Sequence, residues 1–149
     1  MKYLGIILFF SSNLFLFSCT DSKHDTKDYI NKFYSNKEAF DELIIELRSS
    51  KSLINRIGKP IKIYELNDSI TKKLNQLGVS DLEISYSKCQ GLTYISLTTS
   101  WAKKATVYFT KDSCDKIQTA KGYYGKTSEM IEVWGLGDNW LMWIDYDFI

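Results

Sequence analysis

The chain has 149 residues, with 19 basic and 18 acidic side chains and one histidine, giving a formal charge of +1. A near-neutral chain with no basic block lacks the electrostatic footprint of a nucleic-acid binder and the polybasic patch that holds proteins to anionic lipid. Its length suits one domain around a single core.

The first residues carry one positive side chain, Lys2, then the apolar runs Leu4 to Phe10 and Leu14 to Phe17, interrupted by Ser11, Ser12 and Asn13. A spanning helix needs about 20 predominantly apolar residues, whereas this stretch is shorter, polar in its middle and ends at the small Ser18. It reads as a cleaved export signal over residues 1–18. The tetrapeptide Leu16-Phe17-Ser18-Cys19 resembles the lipobox of bacterial lipoproteins. That resemblance implies cleavage before Cys19 and a diacylglyceryl group on its thiol, hence anchoring of the protein to a membrane of the cell envelope; more than one acyl chain makes such anchoring stable. An ordinary secretory signal with Cys19 merely near the cut is the alternative. The resemblance covers only the first 20 residues and implies nothing about the domain behind them. Cleavage removes Lys2 alone among the charged residues and leaves 131 residues with 18 charges of each sign.

After Cys19, residues Thr20 to Asp28 are polar and charged with no aliphatic side chain, which predicts a flexible tether over 19–28 that contains the lone His24. A single domain is expected over 29–149. Ser35 followed by Glu38 matches a capping box, and Phe40, Leu43, Ile44 and Leu47 then form an apolar stripe, so a helix is predicted from about Asn36 to Ser49. Leu53, Ile54 and Ile57 extend the pattern until Gly58, Lys59 and Pro60 stop it. A β-like run with Ile61, Ile63 and Leu66 precedes a helix capped by Asn67 or Asp68, bearing Ile70, Leu74 and Leu77, and closed by Gly78.

From Asp81 the period changes to two. Leu82, Ile84 and Tyr86 alternate with polar residues, and Tyr94 to Thr99 and Thr106 to Thr110 are similarly rich in β-branched and aromatic residues, predicting three antiparallel strands joined around Gln90-Gly91 and Ala102 to Lys104. Lys111 to Ser128 reads as a long loop or a weakly signalled strand pair. Glu129 to Trp134 and Trp140 to Phe148 predict a hairpin across Gly135 to Asn139. The last strand is apolar on both sides, as a strand central in its sheet or covered by a helix is. The expected fold is therefore α+β, with two or three N-terminal helices packed on one face of a four- to six-stranded antiparallel sheet.

Cys89 and Cys114 remain once Cys19 is lipidated. An up-down meander puts both at one edge of the sheet, and an oxidising compartment favours a disulfide between them. Acid–base chemistry would fall to carboxylates, because the domain has no histidine and its thiols no imidazole partner. Asp138, Asp145 and Asp147 gather near the C-terminus, where Asp145 and Asp147 are expected on one face of a strand, as a solvated face or as a carboxylate pair or cation site. No phosphate loop, nucleophile elbow or zinc signature occurs, so no cofactor, no metal and no catalytic residue is assigned. The aromatic residues Tyr123, Tyr124, Trp134, Trp140 and Trp143 are either core or contact surface, and the first four are the candidate partner contacts. A non-enzymatic protein-binding module in the envelope is thus expected, as an inhibitor, immunity-type or assembly accessory factor whose partners are the membrane and another envelope protein. The alternatives are a small carboxylate-based or cation-dependent enzyme and a carbohydrate-binding module.

Overall fold

The computed structural model describes residues 21–58, 61–86, 93–111 and 117–147, without the side chains of 21–24, 54, 86, 93 and 94. Helix α1 (Asp21–Ser35) comes first, and from Asp21 onward it corrects the tether expected over 19–28: its first two turns are built from Asp21 to Asp28, while Cys19 and Thr20 lie outside the described residues. Thr26, Tyr29, Ile30 and Phe33 recur at i, i+3, i+4 and i+7; Thr26 and Phe33 are buried, and Tyr29 and Ile30 pack against the core. A threonine in the first position of that stripe disguises it as polar sequence.

Helix α2 (Lys37–Ser49) buries Phe40, Leu43, Ile44 and Leu47, as the stripe predicts. The expected capping box does not form, because Ser35 is the last residue of α1 and its hydroxyl donates back to the Asn31 carbonyl. A single turn, α3 (Lys51–Ile54), follows. The β-like run reduces to one bridge between Ile61 and Leu82 and a 3-10 turn over Ile63–Glu65. Helix α4 (Asp68–Leu77) buries Ile70, Leu74 and Leu77 and is capped by the Asn67 side chain, which accepts from the Ile70 N–H. At its end Gly78 adopts φ 68°, and the Trp101 indole packs so near that a Cβ there would stand 2.8 Å from Nε1. Glycine meets both demands. Among the described residues no helix is long and apolar enough to cross a membrane.

The strands are β1 (Val79–Tyr86), β2 (Thr93–Thr99), β3 (Thr106–Lys111), β4 (Tyr124–Ser128), β5 (Ile131–Gly137) and β6 (Trp140–Asp145). They form one antiparallel sheet in the order β1-β2-β3-β6-β5-β4. The fold is α+β with the helices ahead of the strands. Strand β4 emerges from the stretch that reads as loop or weak strand, and β6 lies between β3 and β5, which accounts for its apolar residues on both faces. The β5–β6 hairpin turns on Asp138 and Asn139 alone, at φ 51° and 64°, the left-handed pair of a tight two-residue turn.

One cross-strand row, Leu82, Leu97, Phe109, Met142 and Trp134, shows how the sheet meets the helices. Phe33 of α1 stacks on Phe109 at 5.1 Å and on Phe40 of α2 at 5.4 Å, and meets Trp140 edge-on at 5.4 Å. Each such ring contributes about 1.5–3 kcal/mol by leaving water. On the opposite face the Trp143 indole stacks on Tyr108 and donates to Thr110 Oγ1. There the 117–122 segment crosses β5 at Gly135, where a Cβ would collide with the carbonyl oxygens of Gln118 and Ala120.

Candidate functional site

The cross-strand row does not stop where the helices stop covering it. It ends on Tyr124 of the outermost strand, opposite Trp134. Tyr124 is 46% exposed, and its ring lies 4.5 Å from that of Trp134 at 45°. Trp134 is half-buried; its Nε1 is enclosed and has no hydrogen-bond acceptor among the described residues. Beside them, the end of β6 brings Tyr146 into the same surface. Burial raises the Tyr146 phenol above its ordinary value, helped by the charge of Glu132 and opposed by a hydrogen bond with Thr26, with Tyr29 and Tyr124 close enough to add to the rise. Tyr29 is likewise raised by burial and by Asp25 and Asp28. Further along α1, the Tyr34 hydroxyl donates to the Leu136 carbonyl at 2.8 Å, and Lys121 Nζ stands 4.9 Å over its ring. A strip of aromatic side chains therefore follows the seam between α1 and β5 and opens at Tyr124.

The two edges of the sheet differ. The β1 edge is partly covered: the Gly58 N–H donates to the Ile84 carbonyl at 2.8 Å and Ile61 bridges Leu82. The β4 edge has no neighbour among the described residues, and Tyr124, Lys126, Thr127 and Ser128 along it are all exposed. Such an edge presents backbone groups able to pair with another strand. Its shortness, Gly125, Lys126 and the irregularity between Lys126 and Ser128 blunt it against indiscriminate pairing.

The candidate residues divide accordingly. Tyr124 and Trp134 form the strip. Trp140 does not belong to a contact surface: it is fully buried, packed on Phe33 and Phe40, with Nε1 donating to Asp41 Oδ1 at 2.9 Å. Tyr123 also leaves the expected exposed pair. It is half-buried, its ring lies over Gly125, and its backbone pairs with Gly135, so Tyr123 and Tyr124 part to different sides. Trp143 lies on the sheet face away from the helices. The carboxylates do not assemble. Asp138 sits at the hairpin tip, 3.0 Å from Lys37 Nζ, whereas Asp145 ends β6 at the other end of the sheet. Asp147 lies past the strand, its N–H donating to Asp145 Oδ1 at 2.9 Å, so the two share no strand face. Among the described residues no three His, Cys, Asp or Glu side chains are grouped to hold a metal ion. Cys19 and the cysteines of the expected disulfide, Cys89 and Cys114, lie outside the described residues. His24 falls in α1.

Sequence reading misses Asp41. Its Oδ1 accepts from Lys111 Nζ and Trp140 Nε1, each at 2.9 Å, and its Oδ2 from Lys37 Nζ at 2.7 Å. Burial pushes its pKa up, but the hydrogen bonds from Lys37, Lys111 and Trp140 and the charge of Lys111 prevail and hold it at about 2. With both oxygens engaged, Asp41 is a clamp between α2, β3 and β6. Nothing in the sequence joins residues so far apart along the chain.

Comparison with protein families, with curated proteins and with solved structures finds no match.

Proposed function

We propose that the chain is the precursor of a bacterial lipoprotein, cleaved before Cys19, acylated there, and held in the cell envelope as a non-enzymatic module that binds another protein. An inhibitor, an immunity-type factor and an assembly accessory all act in this manner. The observation that carries the binding reading is the open β4 edge with Tyr124 and Trp134 beside it. A partner strand added to β4 satisfies its outward backbone groups, and the two aromatic rings offer a large, stiff contact area next to it. The separation of Asp138 from Asp145 and Asp147 weighs against the carboxylate enzyme.

The lipidated chain purified from envelope, with Tyr124→Ala and Tyr64→Ala variants, tests this. Tyr64 is 75% exposed and lies on the 3-10 turn, remote from β4. One stoichiometric protein partner should co-purify with the wild type and with Tyr64→Ala and be lost from Tyr124→Ala. Equal retention by both variants would remove β4 from the interface. Binding of glycans with no protein partner would replace the reading with a carbohydrate-binding one.

A further inference from the structure

The start of α1 limits how far the domain can stand from a lipid on Cys19. Thr26 is buried, 6% exposed, and hydrogen-bonded to Tyr146, whose backbone N–H in turn donates to the Met130 carbonyl at 2.9 Å. From Thr26 back to Asp21 the chain is helical, a rise of about 7.5 Å. Cys19 precedes Asp21 by two residues, which add at most about 7 Å when fully extended. The lipid-bearing Cα is thus leashed within roughly 15 Å of the end of the sheet formed by Thr26, Tyr146 and the β4–β5 turn. A headgroup layer is itself about 5–8 Å thick on each side of the hydrocarbon.

That end is suited to an interface. Met130, at the tip of the β4–β5 turn, is 41% exposed, and the half-buried Tyr29 and Tyr146 stand beside it. Tyrosine favours the boundary between apolar and wet surroundings, and a thioether side chain is apolar. In the neighbouring sequence the exposed Asp25, Asp28, Glu129 and Asp147 outnumber the exposed Lys27, so contact through this end gains no net attraction from anionic headgroups.

We infer that the protein rests on the lipid bilayer by the end that carries Met130, Tyr29 and Tyr146, with the Asp138–Asn139 hairpin pointing away from the membrane. The inference rests on acylation of Cys19, as proposed above. It also orients the open edge: β4 rises from the bilayer with its backbone groups facing sideways, where a partner embedded in or lying on the same membrane meets it.

The test is photocrosslinking of the lipidated full chain in phosphatidylcholine vesicles, with p-benzoylphenylalanine introduced in place of Met130 or of the exposed Lys121, which lies beside Gly137. These positions lie at opposite ends of the seven-residue strand β5, about 20 Å apart. Lipid adducts should be several-fold more abundant from position 130 than from 121. A Gly/Ser spacer of about ten residues inserted before Asp21 lengthens the leash by about 17 Å and should bring the two yields together. Equal yields in the unspaced chain would overturn the orientation while leaving the anchor intact, since the intact mass still shows the acyl groups on Cys19. A chain without acyl mass would overturn the anchor and the orientation with it.

Discussion

At the scale of single residues, Trp134 and Trp140 have opposite surroundings. Trp140 fills the space between Phe33 and Phe40 and satisfies Asp41 with its indole N–H. Trp140→Phe opens a cavity and removes a hydrogen bond to a carboxylate, and should lower the unfolding free energy by roughly 2–4 kcal/mol. The Trp134 N–H is enclosed without an acceptor among the described residues, and a buried unsatisfied donor carries a desolvation penalty. Trp134→Phe removes that penalty along with some ring area, so its stability should stay within about 1 kcal/mol of wild type. Denaturant midpoints of the two variants, measured side by side, check the contrast. Asp41 gives the pH dependence. Its pKa falls from 3.8 free to about 2 in the folded protein, so the unfolded state binds the proton more tightly. The stabilisation is fully present above pH 4 and is lost as pH falls toward 2. Asp41→Asn should therefore show a flatter loss of stability between pH 5 and pH 2 in urea titrations than the wild type; equal slopes would contradict the Asp41 clamp.

At the scale of elements, α1 decides more than its polar sequence suggests. Phe33 is fully buried among Tyr34, Phe40, Phe109 and Trp140. Phe33→Ala should cost roughly 3–5 kcal/mol and increase amide exchange across 21–35, because Phe33 is the one large fully buried side chain among the described residues of α1. A flexible tether over 19–28 would exchange at once in the wild type, whereas a docked helix is protected from about Thr26 onward. The β5–β6 hairpin depends on Asp138 and Asn139 holding left-handed backbone, which asparagine, aspartate and glycine tolerate. Asn139→Val places a β-branched residue there and should destabilise by about 1–2 kcal/mol, while Asn139→Gly should be nearly neutral; thermal unfolding of the pair separates the two outcomes.

At the scale of the whole molecule, the strand order bears on the cysteines. β1 ends at Tyr86 and β3 at Lys111, both at the same end of the sheet and separated by β2. Two strand spacings are about 10 Å, which the residues after each strand can close. Cys89 and Cys114 should therefore form an intramolecular disulfide worth roughly 3 kcal/mol for a loop of about 25 residues. Intact mass without reductant, then peptide mapping, should show two hydrogens lost and the two cysteine peptides joined. Free thiols in protein purified without reductant would remove the staple while leaving the sheet order unchanged.

The amino-acid pattern by itself determined the elements with a repeating apolar period: α2 with Phe40, Leu43, Ile44 and Leu47, α4 with its Gly78 stop and a cap at Asn67 or Asp68, between which the structure chooses Asn67, and the three-strand meander. Period and cap are local, and burial of one face follows from them wherever the element lands. It also marked β6 as a strand either central in its sheet or covered by a helix, because apolar residues on both sides need cover on both sides. Tertiary structure alone decided the rest. Thr26 and Tyr29 became a buried helix face only because Tyr146 and the core lay opposite; β4, with exposed residues at four of its five positions, became a strand because β5 offered a free edge. Asp41, Lys111 and Trp140 met because α2 crosses β3 and β6. Whether an aromatic residue is core or surface was settled in the same way: Trp140 and Trp134 face the same side of the sheet, but only Trp140 lies under Phe33 and Phe40. Trp134 lies toward the open edge, beside Tyr124.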